Sequence, residues 1–167
     1  MQRRSILQLG VTGALASGLS LPAFAKQGHR PRRLNRGDTV ALVAPASVTY
    51  ESLELQLALE TLDAMGLKAK VGDHVMDRFG YLAGTDEDRA ADINAAFADT
   101  RVDAVFALRG GWGASRVLPY LDFDVIRKNP KILLGYSDIT SLLNAVFAKT
   151  GLITFHGPNV MSRWNDF

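Results

Sequence analysis

The sequence predicts an α/β fold with a doubly wound, mostly parallel sheet that helices cover on both faces. Short β-branched apolar runs alternate with segments of helical periodicity along most of the chain. Glycine or proline follows these apolar runs, as expected where strands end. An apolar content of 47% and a charged content of 22% are ordinary for a globular domain, and 167 residues suffice for one such domain.

The first half of the domain begins this alternation. Residues 39–44 form a short apolar run that ends at Pro45, which is typical of a strand buried on both faces. Thr85, followed by three acids, is typical of a helix N-terminus. The predicted elements are a strand over 39–44, a helix over 51–65 with apolar positions at Leu53, Leu57, Leu59, Leu62 and Met65, a strand over 67–71, a loop over 72–84, and a helix from Thr85 to about Ala98.

The second half continues the alternation with shorter connections. Its predicted elements are a strand over 102–108, a short helix over 114–121, a polar turn region over 122–129 with room for one helical turn, a strand over 131–134, a helix over 139–149 and a strand over 153–155. Such alternation implies a parallel sheet of flavodoxin-like or class I amidotransferase-like topology. Because ligands of open parallel sheets bind at the carboxyl ends of the strands, we expect the functional site in the segments that follow them.

Charge is distributed unevenly along the chain. Residues 1–36 carry seven Lys or Arg and no acid, whereas residues 37–167 carry twelve Lys or Arg against seventeen acids, a net charge of −5. Nucleic-acid binding requires a basic face on the folded domain, so nucleic acid is not an expected partner. The chain has no cysteine, which excludes thiol nucleophiles, thiolate metal sites and the cysteine chemistry of glutamine amidotransferases.

The N-terminus has the pattern of an export signal. Arg3 and Arg4 precede a moderately apolar stretch, and Ala23-Phe24-Ala25 gives the small-x-small pattern of a cleavage site. We therefore expect a twin-arginine-type signal peptide over 1–25 and a periplasmic or otherwise exported protein. The alternative is an amphipathic start that stays attached. The apolar stretch is shorter than the about 20 residues of a membrane span, so no membrane association beyond export is expected.

Two boundaries follow from this interpretation. The basic residues 26–36 contain Pro31 and lack an apolar period, so they are predicted to be a flexible lead-in. The folded domain is then expected over 37–167.

Ser137 stands between a predicted strand and a predicted helix. A serine on such a sharp turn projects its hydroxyl from the sheet, while the N–H groups at the start of the helix face the same point. This is the arrangement of the nucleophile elbow in serine hydrolases. Ile139 occupies the position where the usual elbow has a second small residue, so the pattern is half matched. The alternative is that Ser137 is a helix N-cap, with Asp138 supporting the first turn.

The segment Arg109–Gly113 places three glycines at the end of another strand. Unobstructed backbone N–H groups there offer a second donor for an oxyanion, and Arg109 offers a bidentate contact to a substrate carboxylate. A dinucleotide-binding loop is the weaker interpretation, since Arg116 stands where the third glycine belongs. A further alternative is a tight turn in which Trp112 packs into the domain.

Four segments together carry a resemblance to a known family. In chain order they are Val43–Ser47, Arg109–Gly113, Leu134–Thr140 and Phe155–Pro158. Their sequences and spacing resemble the LD-carboxypeptidase family, which includes muramoyltetrapeptide carboxypeptidases and microcin-immunity peptidases, over roughly residues 36–162.

The resemblance implies a function and a set of site residues. The family removes a terminal D-amino acid from an L–D peptide bond, as in the murein tetrapeptide, with a Ser-His-Glu triad and without a metal or cofactor. A murein peptide is thus the expected partner. The implied site residues are Ser137 as nucleophile, Gly111 and Asp138 as backbone oxyanion donors, and Arg109, Gly110, Trp112 and Ser47 as substrate-binding residues.

The chain departs from the family pattern after Ser137. In the family the triad histidine and glutamate come from a C-terminal domain, and only thirty residues follow Ser137 here. We therefore expect the C-terminal domain to be absent, the enzyme to be incomplete, and the exposed interface to favour a homodimer. His156 as the base is the less favoured interpretation beside a hydrogen-bonded structural histidine. A non-catalytic murein-peptide-binding domain is the alternative function.

Overall fold

The computed structural model describes residues 28–161. Its strands are β1 (Thr39–Val43), β2 (Lys68–Val71), β3 (Ala104–Ala107), β4 (Ile132–Gly135) and β5 (Phe155–His156). Its α-helices are α1 (Ser52–Ala64), α2 (Asp86–Ala98), α3 (Phe123–Lys128) and α4 (Thr140–Thr150). Two 3₁₀ helices, Ala114–Tyr120 and Ser137–Ile139, follow the loops after β3 and β4.

The five strands form one parallel sheet in the order β2-β1-β3-β4-β5. This is the flavodoxin-like order of a doubly wound sheet, so the predicted fold class is confirmed. β1 lies inside the sheet, where Val40 pairs with Ala69 of β2 and with Ala104 of β3. All four residues of β3 are buried, as expected for a central parallel strand.

Alternate side chains of each strand supply two separate layers of core. Val40 and Leu42 pack with Ala58 and Leu62 of α1 on one face. On the other face, Ala41 and Val43 join a larger layer built with α2, α3 and α4, whose buried members include Ile93, Phe97, Ile126, Leu142 and Val146. Because successive strand residues point to opposite faces, one short apolar run serves both layers.

Capping residues set the start of two helices. At α2, the Thr85 hydroxyl accepts from the Asp88 N–H at 3.2 Å, and the Asp88 carboxylate accepts from the Thr85 N–H at 3.2 Å. At α3, the Asp122 carboxylate accepts from the N–H groups of Asp124 and Val125. This cap turns the polar region predicted over 122–129 into a helix of six residues.

The apolar face predicted for the first helix is wrong in part. Leu53 and Leu57 are more than half exposed, whereas Ala58 and Leu62 are buried. Leu55 and Leu59 pack against the same core, so the buried face has the spacing 55, 58, 59, 62.

The segment before β1 is tied to the domain. His29 accepts from the Ile153 N–H at 3.0 Å and donates its own N–H to Gly151, which makes a parallel bridge with Leu152. Arg32 pairs with Asp38 and Asp103. For residues 28–36 the predicted flexible lead-in is therefore wrong. Because Ile153 pairs with His29, it is not part of the last strand, which begins at Phe155 rather than at residue 153 as predicted.

The predicted signal peptide over 1–25 lies outside the described residues. Within residues 28–161, none of the helices has the length and apolar content that crossing a membrane requires.

Candidate active site at the carboxyl edge of the sheet

Segments that follow β1, β3, β4 and β5 meet at one edge of the sheet. The Ser47 N–H donates to the Gly110 carbonyl at 3.3 Å. A Cβ added to Gly110 would lie 3.3 Å from Ser137 Cβ, so the glycine loop touches the turn that carries this serine. Asn159 accepts from the Tyr136 N–H at 3.1 Å and connects the last segment to the same turn. The structure thus brings together the segments that the sequence singles out.

The backbone of Ser137 is strained. Its φ of +60° makes it the only non-glycine residue of positive φ among those the structure describes. Such a conformation costs about 1–3 kcal/mol in a residue other than glycine and persists mainly at functional sites. The side chain is exposed, and the N-cap position of the following 3₁₀ helix is held by Tyr136, without a side-chain capping bond. The N-cap interpretation of Ser137 is therefore wrong.

The backbone N–H groups of Asp138 and Gly111 belong to the two segments that meet at Ser137. Asp138 is the second residue of its 3₁₀ helix, so its N–H has no acceptor within that helix. The Gly110 carbonyl is turned towards the Ser47 N–H. Because a trans peptide directs its N–H opposite to its C=O, the Gly111 N–H faces away from Ser47. Backbone N–H groups are the usual donors of an oxyanion hole, so these two are candidates for that role.

Ser47 holds the glycine loop from the other side. Its hydroxyl accepts from the Trp112 N–H at 3.1 Å. Gly111 has a φ of +113°, and a Cβ there would lie 2.1 Å from Ser47 Oγ. Only glycine fits this position, because both the backbone conformation and the contact exclude a side chain. In the structure Ser47 contacts the loop as well as lining the edge.

Arg109 and Trp112 occupy different environments. Arg109 is half-buried, and its Nη1 donates to the Val48 carbonyl at 3.0 Å, so part of the guanidinium is committed to the main chain. Trp112 is 76% exposed, which makes the interpretation of a turn with a packed Trp112 wrong. An exposed indole beside the glycine loop is a surface on which a ligand can stack.

Arg89 is a functional candidate that the sequence analysis did not identify. Its side chain is fully buried, and its Nη1 donates to the carbonyls of Pro45 and, at 3.0 Å, Gly113. Its Nη2 pairs with Asp86. Burial lowers the pKa of Arg89, and Asp86 opposes that shift. Arginine side chains stay protonated in proteins, so the guanidinium is a cation. No sequence signal marks it, since arginine is common on the exposed face of helices.

Two further contacts were also missed. The Asp138 carboxylate accepts from the Ala114 N–H at 2.7 Å and so connects the serine turn to the residue after the glycine loop. Asn159 is 4% exposed and fixes the Tyr136 backbone next to Ser137. Its position directly after His156-Gly157-Pro158 is the signal that would have identified it.

The histidines do not complete a catalytic pair with Ser137 within residues 28–161. His156 is exposed and meets the Tyr136 ring edge-on, with centroids 6.4 Å apart, rather than being a hydrogen-bonded structural histidine. His74 lies in the loop before α2, where its Nδ1 is 2.7 Å from an oxygen of Asp77. That hydrogen bond raises the pKa of His74, and burial opposes the shift.

His74 also belongs to a group that spacing along the chain does not reveal. Possible metal-ligand atoms of His74, Asp77 and Asp88 lie within 4.8 Å of one another. The Asp88 carboxylate already serves the capping box of α2. The three side chains therefore form ion pairs that attach the loop before α2 to this helix, and these pairs explain why the side chains lie close together.

Comparison with known proteins places the chain among peptidases. Residues 40–157 match the family model of the LD-carboxypeptidase N-terminal domain. A probable murein peptide carboxypeptidase of Bacillus subtilis is 47% identical over 130 residues, covering 78% of this chain and 40% of the relative. The murein tetrapeptide carboxypeptidase of Pseudomonas aeruginosa is 42% identical over 120 residues, covering 71% and 38%.

A solved structure agrees with these sequence matches. An MccF-like protein from Bacillus anthracis superposes with a TM-score of 0.77 at 34% identity, covering 80% of this chain and 41% of that chain. The chain spans about 40% of the length of the relatives it matches. The family match covers most of the described residues and includes the serine turn and the glycine loop. The chain therefore belongs to the LD-carboxypeptidase family, with its N-terminal domain over residues 40–157.

Proposed function

We propose that this chain supplies the nucleophile and the oxyanion hole of a serine carboxypeptidase that releases a terminal D-amino acid from murein tetrapeptide. The positive φ of Ser137 is the observation that carries the proposal, because backbone strain at an exposed serine needs a functional explanation. The names of the Bacillus subtilis and Pseudomonas aeruginosa relatives support murein peptide as the substrate.

In the proposed reaction the Ser137 hydroxyl attacks the carbonyl carbon of the L–D peptide bond. The carbonyl oxygen becomes negative and accepts hydrogen bonds from the N–H groups of Gly111 and Asp138. The D-amino acid leaves as the amine, and water hydrolyses the acyl-enzyme. Arg109 and Trp112 contact the peptide beside the reacting bond.

A protonated serine is a poor nucleophile, so the reaction needs a base. His156 makes no hydrogen bond to Ser137 in the described part of the chain, which disfavours it for this role. We propose that a histidine–glutamate pair outside residues 28–161 accepts the proton and returns it to the nitrogen of the leaving D-amino acid. Without that pair the rate is expected to fall by about 10⁴ or more, which makes residues 28–161 alone inactive.

The test uses the complete natural protein that carries this sequence. Release of D-alanine from murein tetrapeptide is measured for the wild type, Ser137→Ala and Ser52→Ala, the last being an exposed serine at the start of α1. We expect Ser137→Ala to lose activity by about 10⁴-fold or more and Ser52→Ala to match the wild type. Equal turnover in all three would refute the role of Ser137. Tetrapeptide binding without turnover would favour a binding protein.

We also propose that residues 1–25 export the protein by the twin-arginine route. The paired Arg3 and Arg4 and the Ala23-Phe24-Ala25 pattern support this. A reporter fused after residue 36 should reach the periplasm, and replacing both arginines with lysine should retain it in the cytoplasm. Export that is unaffected by the lysine pair would contradict the proposal.

A further inference from the structure

One peptide group of the glycine loop lies between two opposite charges. The Gly113 carbonyl accepts from Arg89 Nη1 at 3.0 Å. The N–H of the same peptide, on Ala114, donates to the Asp138 carboxylate at 2.7 Å. The peptide dipole thus has its negative end at a buried cation and its positive end at an anion, which strengthens both hydrogen bonds.

This peptide group, here called the clamped peptide, joins three parts of the site. Asp138 belongs to the serine turn, and Arg89 reaches from α2 to the Pro45 carbonyl in the loop after β1. Gly111 lies two residues before the clamped peptide. The position of its N–H relative to Ser137 therefore depends on the clamp on one side and on Ser47 on the other.

The charge that Arg89 carries is balanced on the side away from the loop. Asp86 pairs with Arg89 through one carboxylate oxygen and with Arg116 through the other, at 2.9 Å. Asp86 binds Nη2, and the Thr85 carbonyl accepts from Nε at 3.2 Å, which leaves Nη1 directed at the two carbonyls. A guanidinium can make these contacts together because its donors form a rigid planar fork, which an ammonium lacks.

We propose that Arg89 is a positioning residue that, with Asp138, sets the glycine loop at the distance from Ser137 that the oxyanion requires. The proposal rests on the proposed function for its catalytic consequence. It gives Asp138 a side-chain role in addition to its backbone N–H. Small displacements of an oxyanion donor are costly, because loss of one such donor lowers kcat by about 10²–10³-fold.

The test combines amide hydrogen exchange with kinetics on the complete natural protein. The variants are Arg89→Met, Arg89→Lys and Asp138→Ala, the last retaining the backbone N–H. In Arg89→Met and Asp138→Ala we expect exchange at residues 111–114 to accelerate about tenfold or more, with β3 unchanged. We expect kcat on the tetrapeptide to fall about 10²-fold, with KM within about threefold. Arg89→Lys should recover part of kcat.

Each outcome decides the proposal. Unchanged exchange at residues 111–114 in both Arg89→Met and Asp138→Ala would overturn it, as would equal acceleration in the loop and in β3, which marks general loosening. If Arg89→Met does not fold, Asp138→Ala decides, because its carboxylate is only partly buried. If the wild type leaves the tetrapeptide intact, the proposed function fails, while the exchange data still decide the clamp.

Discussion

At the amino end of the sheet, charged groups are paired with neighbours that hold them in place. Asp103 accepts from the Thr39 N–H at 2.9 Å and pairs with Arg32. Asp99, at the end of α2, pairs with Lys70 and Arg101. These contacts use the donors and acceptors that the ends of strands and helices expose, so this end serves stability.

The carboxyl end of the same sheet is arranged in the opposite way. Ser137 is strained and exposed there, and Gly111 and Asp138 lie on the segments that meet beside it. Trp112 exposes most of its surface at the same edge. The polar contacts of Arg89 and Ser47 at this edge fix the glycine loop beside Ser137, whereas those of the amino end join the ends of strands and helices.

Replacing one glycine at each end of the sheet should give the largest difference in kcat between the two ends. Gly111→Ala puts a Cβ against Ser47 Oγ at a φ of +113°, and we expect kcat to fall about 10²–10³-fold as the N–H moves. Gly37→Ala, before β1, has a φ of +87° but nothing within 4 Å of the added Cβ. It should retain kcat. Steady-state kinetics test both, and equal losses would show that strain alone is responsible.

Removing a buried cation at the amino end should affect stability and leave catalysis intact. Lys131 is 8% exposed and donates to the Ala96 carbonyl at 2.8 Å and to the Asp99 carbonyl, at the end of α2. Lys131→Met should lower the free energy of unfolding by about 2 kcal/mol, because the two carbonyls lose a charged donor. Denaturant unfolding measures it, with the exposed Lys149→Met as control. A matching fall in kcat would contradict the division between the two ends.

Loss of the Ser47 hydroxyl should have a smaller effect on the carboxyl end. Ser47→Ala removes the acceptor of the Trp112 N–H but keeps the backbone bond to Gly110. We expect kcat to fall about tenfold, since one neutral hydrogen bond contributes about 1 kcal/mol. Ser115→Ala, an exposed serine after the loop, is the control. If the kcat of Ser47→Ala equals that of the control, the Ser47 hydroxyl does not position the glycine loop for catalysis.

The smallest effect should be a change in the pH dependence of stability at the amino end. Hydrogen bonds from Arg101 and Lys70 lower the pKa of Asp99 below its ordinary value. A group whose pKa is lowered on folding stabilises the protein above its unfolded pKa, about 3.9, and loses this as the pH falls further. Stability should therefore fall below about pH 4, and Asp99→Asn should flatten that dependence. Thermal unfolding at pH 2 to 7 tests this, with the exposed Asp63→Asn as control.

Much of the fold was predictable from the chain because its signals are local. The run at 39–44 and the Thr85 cap specify a strand and a helix through neighbours in sequence, and both are confirmed. The orientation of α1 was not predictable, because Leu53 and Leu57 are as apolar as the leucines that face the sheet. Which face a helix buries depends on the surface that it meets.

The candidate site likewise has residues that the sequence identifies and residues that only the structure identifies. Ser137 and the glycines of 109–113 were identifiable, since a serine or glycine at a strand end has few structural reasons to be there. Arg89 was not, because the carbonyls that it contacts lie 24 and 44 positions away along the chain.

The sequence by itself determined the order of elements, the class of fold and the turn that carries Ser137, because periodicity and turn residues act over a few positions. Only the tertiary structure decided that Ser137 is strained rather than a cap, that Trp112 is exposed, and that Arg89 and Asp138 hold one peptide between them. Those outcomes depend on which distant groups the sheet brings within hydrogen-bonding distance.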